Sequence, residues 1–256
     1  MFTVRPRNYL SAALVAANFA LCSSAHADTL KVVYFEKYEP ISWLASGEMH
    51  GGLVDIVNES IGRRMGIDVS NRGFPWARAQ EMVRDGRADA FVTVATPERS
   101  AYTNCSNEDV LRLENVAYIN VANKNLRALE RVQSIDDLLP FTLTSYLGNG
   151  WAKDRFAKHN VEWVYGIENS IRMLAAERVD VFVEARQVVR YHLQKLGFSE
   201  KMLELEPVFD TVRFRLCIRK DSPFADRLPQ FDQSIRAMRS DGTLRRIYEK
   251  YVIDSQ

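Results

Sequence analysis

Residues 89–100 read DAFVTVATPERS, and the change of character halfway along this stretch decides the fold. Asp89 to Val94 is an apolar, β-rich run of the kind that forms a strand buried on both faces. Thr96 then offers an N-cap, Pro97 suits a first helical position and Glu98 favours the first turn. A buried strand that passes directly into a helix start is the joint of a parallel α/β unit, and ligands gather beyond the carboxyl ends of such strands. Arg99 falls in that first turn, where unpaired backbone N–H groups already favour an anion. Its planar fork matches a carboxylate through two hydrogen bonds. Two readings of Arg99 follow: a carboxylate receptor, or an arginine paired with Glu98 or turned to solvent.

Working outward, the same alternation recurs on both sides. LKVVYF (30–35) reads as a strand, 53–65 as a helix with Leu53, Ile56, Val57, Ile61 and Met65 on one face, 67–72 as a strand and 78–84 as a helix. A longer strand is predicted over 114–123, after which the pattern restarts. Strands at 141–146, in VEWVYG and at 179–184 alternate with helices in WAKDRFAKH, SIRMLAAE and RQVVRYHLQKLG, the last ending at Gly197. TVRFRLCIRK (211–220) returns as a strand, and two helices close the chain. Two α/β lobes joined by two extended crossings would leave a cleft between them, a usual place for a small ligand.

Composition narrows the function. The chain has 256 residues, 46% hydrophobic and 26% charged, with 34 Lys+Arg against 33 Asp+Glu. A near-neutral chain with scattered basic residues disfavours nucleic acid as a partner. Residues 1–27 carry early arginines, an apolar core and an A-x-A site at Ala25 and Ala27, the pattern of a cleaved secretory signal. Cleavage would leave Cys105 and Cys217, either a disulfide in an oxidising compartment or two small buried hydrophobes. His50, His159 and His192 lack metal-ligand spacing, and no cofactor motif is present.

YEPISW (38–43), GEMHGGLVDIV (47–57), PWARAQEMVRDGRADA (75–90), TPER (96–99), LGNGW (147–151), AAERVDVFVE (175–184) and SDGTLRRIYEKY (240–251) form an ordered set. The set resembles the family 3 extracellular solute-binding proteins of ABC importers, in a subgroup with a PWxRA motif. The resemblance covers the exported chain and implies a two-lobe type II periplasmic-binding-protein fold. It places lobe 1 at 28–120, lobe 2 at 121–208, and the return strand and final helices at 209–256, mainly in lobe 1. It further implies a monomeric periplasmic receptor for an amino acid or other small polar carboxylate, with a membrane ABC permease as partner and no cofactor.

By the same resemblance, Tyr38 and Trp76 are the aromatic walls of the site, Arg99 the carboxylate anchor and Thr93 a nearby hydroxyl. Asn149 and Gly150 would add backbone N–H groups from the second lobe, and Glu184 an acid for the ligand's amino group. Each has a plainer alternative: core or rim aromatics, a strand-to-helix turn, and an acid serving the following helix dipole. Arg78 reads as an exposed helical arginine. The pattern departs from the family in a shorter run between Asp89 and Arg99 and in a glutamate, closer to Asp180, where an aspartate is usual. Those departures bear on whether the ligand is an α-amino acid. Two other functions share the fold: a periplasmic dehydratase using Glu184 as its acid, and a sensor domain reporting to a membrane receptor.

Overall fold

The computed structural model describes residues 1–3 and 29–253. The leader expected at 1–27 lies outside them, apart from its first three residues. Among the described residues no helix is long and apolar enough to cross a membrane.

Strand β1 (Leu30–Phe35) opens the fold and is followed by a small antiparallel sheet of β2 (Lys37–Tyr38), β3 (Ser42–Ala45) and β4 (Glu48–His50). Helix α1 (Gly52–Val57) continues as a π-helical stretch over Asn58–Arg64, so the helix predicted at 53–65 exists but widens midway. Then come β5 (Val69–Phe74), α2 (Trp76–Arg84), β6 (Ala90–Val94), α3 (Pro97–Ser100) and β7 (Thr103–Cys105). The long strand β8 (Leu111–Asn120) leads to α4 (Leu126–Leu129), β9 (Thr142–Tyr146), α5 (Gly150–Arg155) and β10 (Asn160–Val164). Helix α6 (Ile167–Ala175), β11 (Val181–Ala185) and α7 (Arg186–Leu196) complete this part. Strand β12 (Met202–Arg219) returns, and α8 (Leu228–Ser240) and α9 (Thr243–Lys250) close the chain.

The main sheet runs β10-β9-β11-β8-β12-β6-β1-β5. At one end β5, β1 and β6 are parallel, and at the other β10, β9 and β11 are parallel. Between these two halves β8 and β12 lie antiparallel to each other and to their outer neighbours β11 and β6. The parallel order follows from local chemistry, because each helix starts just beyond a strand end and returns the chain to the same side. Strand β12 is the largest difference from the sequence reading, beginning at Met202 where 211 was expected. Its first part pairs with β8 through register shifts on either side of Val208, and a pairing between segments so far apart has no local sequence signal.

The core of each half is the apolar face where helices meet strands. Val32, Val33, Ile56 and Phe91 are buried in the first half, and Leu143, Ile171, Val181 and Val189 in the second. Helices α8 and α9 pack on α1 and its π-helical extension. Cys105 and Cys217, opposite each other on β7 and β12, form a disulfide, which settles the choice left open for that pair.

Candidate functional site

The strand-to-helix joint is built as its sequence indicates. Thr96 is in extended backbone, and its Oγ1 accepts a hydrogen bond from the Arg99 backbone N–H at 3.4 Å, with Pro97 in the first turn. That cap turns the Arg99 side chain inward, where the residue is only 3% exposed. Glu98 points the other way and pairs with Arg84 at 2.8 Å and Lys153 at 3.4 Å. The reading in which Arg99 pairs with Glu98 or faces solvent therefore does not hold.

Arg99 sits between the halves. Its Nε donates to Gln80 Oε1 at 2.9 Å, one Nη to the Val94 carbonyl at 2.8 Å and the other to the Gly148 carbonyl at 3.2 Å. These bonds use three of the five guanidinium N–H groups. Its Cζ lies 5.2 Å from the centre of the Trp76 ring. Burial pulls its pKa down, although a guanidinium starts so high that it stays charged. Gln80 also donates from Nε2 to the Gly148 carbonyl at 3.0 Å, so one amide steadies both the arginine and the loop it meets. Gly148 has φ +89°, and a Cβ there would come within 2.9 Å of the Ala77 nitrogen and of Gln80 Nε2, so only glycine permits this approach.

A cavity of about 50 Å³ lies beside Arg99, walled by Phe35, Tyr38, Trp76, Tyr146, Trp151 and Phe214. Phe35 is the centre of the ring cluster, 5.7 Å from Tyr38, 6.4 Å from Trp76 and 5.4 Å from Tyr146 between centroids. Thr93, Asn115, Asn149 and Glu184 supply polar edges to the same cavity. The acid at 184 is 4% exposed and well bonded. Its Oε1 accepts from the Tyr38 hydroxyl at 2.9 Å and from the Ala185 backbone N–H at 2.8 Å, and its Oε2 accepts from Asn149 Nδ2 at 3.2 Å. Burial raises its pKa, and the bonds from Ala185, Tyr38 and Tyr146 offset only part of that rise. Burial also raises the Tyr38 pKa, with the Glu184 charge adding to it.

Six of the seven residues singled out in the sequence, Tyr38, Trp76, Thr93, Arg99, Asn149 and Glu184, line this one cavity. Gly150 does not. It starts α5, and a Cβ there would lie 3.2 Å from an Arg99 nitrogen, so its smallness gives the arginine room. The Asn149 backbone N–H, expected to face the ligand, is spent on the Tyr146 carbonyl at 3.0 Å; it is the side chain that serves the site, capping α5 by accepting the Ala152 N–H at 3.0 Å and lining the cavity. Arg78 is exposed, its guanidinium 5.4 Å from the Phe74 ring. Sequence reasoning missed Phe35, Tyr146, Phe214 and Asn115, which sit within strands where they read as core. It also missed Gln80, whose only signal was a polar residue on the buried face of α2.

Comparisons with known proteins bear on the fold and the family. A probable amino-acid-binding protein of Bacillus subtilis (strain 168) is 29% identical over 125 residues, 47% of each chain, so the match spans about half of that relative. A histidine kinase sensor domain with similarity to periplasmic binding proteins superposes with a TM-score of 0.76 at 16% identity, covering 89% of this chain and 98% of that one. An ancestral amino-acid-binding protein, a precursor of cyclohexadienyl dehydratase, gives a TM-score of 0.68 at 21% identity over 87% of this chain and 95% of that one. At such identities the likeness is one of fold, the type II periplasmic-binding-protein arrangement of two halves about a pair of crossing strands. The family model for bacterial extracellular solute-binding proteins, family 3, matches residues 30–254, and the chain belongs to that family.

Proposed function

We propose that the chain captures a small polar carboxylate, an amino acid or a close relative, between its halves and delivers it to an ABC permease. The buried Arg99 guanidinium carries this reading. It is a charge held at 3% exposure, with two N–H groups uncommitted to protein partners among the described residues and a cavity at its side. A buried cation with donors in reserve suits a bidentate carboxylate. Glu184, lining the same cavity, provides the opposite charge, so the pair matches a zwitterion. Tyr38 and Trp76 offer ring faces to its apolar part, and Thr93 and Asn149 complete the polar surround. The amino-acid class is supported by the names of the relative and of the ancestral protein above.

A cavity of about 50 Å³ is far below the ~300 Å³ or more of typical ligand pockets, so a solute enters only when the walls part. The segments 28–120 and 209–256 would swing against 121–208 about β8 and β12, and a solute that bonds both halves favours the closed arrangement. In this reading residues 1–27 are a removed leader and the mature chain is a periplasmic monomer. A thermal-shift screen of amino acids, polyamines and small organic acids should raise the melting temperature for a narrow set of carboxylates. Arg99→Lys keeps a charge but loses the fork, and should weaken calorimetric affinity for that solute by about 100-fold, roughly two charge-assisted hydrogen bonds. Circular dichroism would show whether the variant is folded. Affinity retained within threefold by folded Arg99→Lys would remove Arg99 as the anchor.

One observation favours a second reading. Glu184 is a buried carboxyl of raised pKa on a small aromatic-walled cavity, the setting of a proton donor. Incubation with prephenate or arogenate would release an aromatic product if the chain is a dehydratase, and Glu184→Gln would abolish that release.

A further inference from the structure

Several buried side-chain atoms have no hydrogen-bond partner among the described residues, and Asn115 Oδ1 is the one that lines the central cavity. The residue is 3% exposed, and its Nδ2 makes no hydrogen bond to another described residue. It lies on β8, opposite Ala185 of β11 on one side and Asp210 of β12 on the other, where the two halves of the sheet meet. Buried neighbours on the same strand, Leu113, Val116 and Ala117, are apolar. An unpaired amide oxygen at such a place is a desolvation cost to the folded state, and a leucine, of the same branched shape, would not carry it. Glu184 and Asn149, by contrast, are bonded to each other, and each Arg99 nitrogen has one protein acceptor even though two of its N–H groups are uncommitted, so Asn115 Oδ1 differs in being a cavity-lining acceptor with no partner at all among the described residues.

We infer that Asn115 is a specificity-determining contact that accepts a hydrogen bond from an N–H or O–H group of the solute. The inference rests on the carboxylate-receptor reading and adds to it that the solute must carry a hydrogen-bond donor as well as its carboxylate. The recognised class is thus amino or hydroxy acids, and bare carboxylates of the same size are rejected. A site built to bond a donor discriminates against analogues lacking it, because its own polar atom is then left unpaired in the closed state. Its place on a crossing strand means that the solute touches the element about which the halves turn.

The test uses the full chain, wild type and Asn115→Leu, titrated calorimetrically with the twenty L-amino acids and with donor-free carboxylates of matching size, such as 3-phenylpropionate against phenylalanine. For the tightest-binding amino acid, Asn115→Leu should lose about 10-fold or more in affinity, while affinity for the matched donor-free carboxylate holds or rises. The free variant should melt at the same temperature as wild type or higher, since an unpaired amide has been removed. A structural role for Asn115 would instead lower the melting temperature of the free protein by several degrees. That result, or amino-acid affinity preserved within threefold, overturns the assignment and leaves the carboxylate receptor standing. Failure of wild type to bind any amino acid, or any 2-hydroxy acid of matching size titrated in the same way, would overturn the receptor reading itself, and this inference with it.

Discussion

Two glutamates join the same two halves of the molecule under opposite electrostatic conditions. Glu39, between β2 and β3, meets α7, where Lys195 Nζ lies 3.1 Å from its Oε1 and His192 Nε2 lies 3.4 Å from its Oε2. Lys195 also reaches Glu168 on α6 at 3.0 Å. Burial pushes the Glu39 pKa up, but contacts with His192, its own backbone and Lys195 outweigh it and bring the value to about 2. The His192 approach lacks hydrogen-bond geometry, so the lysine is the firmer partner. Glu184 is met instead by hydroxyl, amide and backbone N–H groups, all neutral, and its pKa is raised. The difference teaches that Glu39 is a fastening, stable as an ion because the Lys195 ammonium answers it. Glu184 is a charge left without a cation among its bonded partners, and a charge in that condition is available to a ligand.

Exchanging each acid for its amide would break this comparison if it is wrong. The largest effect belongs to Glu39→Gln, which leaves Lys195 with Glu168 as its one remaining anion among the described residues and should cost about 2 kcal/mol, a fall in Tm of roughly 4–8 °C by calorimetry at pH 7. A lowered folded pKa gives stability that is present above the usual 4.5 and is lost as pH falls toward about 2. The gap between wild type and Glu39→Gln should therefore close over that window. Glu184→Gln should act in the opposite sense and be smaller. A raised folded pKa means stability that is full below 4.5 and is lost as pH rises through the folded value, so the variant should melt above wild type at pH 7, by less than Glu39→Gln lowers it, while losing solute affinity. A loss of stability at pH 7 would show that Glu184 is a fastening too. Glu98, a third acid spanning the halves through Arg84 and Lys153, is about half exposed on its side chain. Glu98→Gln should shift unfolding in urea by less than about 0.5 kcal/mol, sharpening the contrast between exposed and buried contacts.

What could be read from the sequence was what is encoded locally. Strand β1 was placed to the residue, and α3 with its Thr96 cap was read correctly, because cap, proline and strand lie within a few positions of one another. Arg99 was legible for the same reason. The pairing of Met202–Asp210 with β8 was not, since Pro207 and alternating acids make a weak strand whose partner lies far off in sequence. The small β2-β3-β4 sheet was missed because its strands are too short to show a period. Phe35, Tyr146 and Phe214 read as core in any strand, and only the closing of two halves around them makes them walls. Asn115 stood in plain view as an amide inside an apolar run, yet its meaning depends on the absence of a partner, which only coordinates reveal.

The Cys105–Cys217 bridge ties together the residues at which the chain departs for the second half and comes back from it. Everything between them is thereby a covalent ring, 112 positions around, hung from the first half by its stapled base. A single proteolytic nick anywhere on that ring frees nothing: the severed ends stay on one tether, near enough to re-form the same packing, until a reductant releases them.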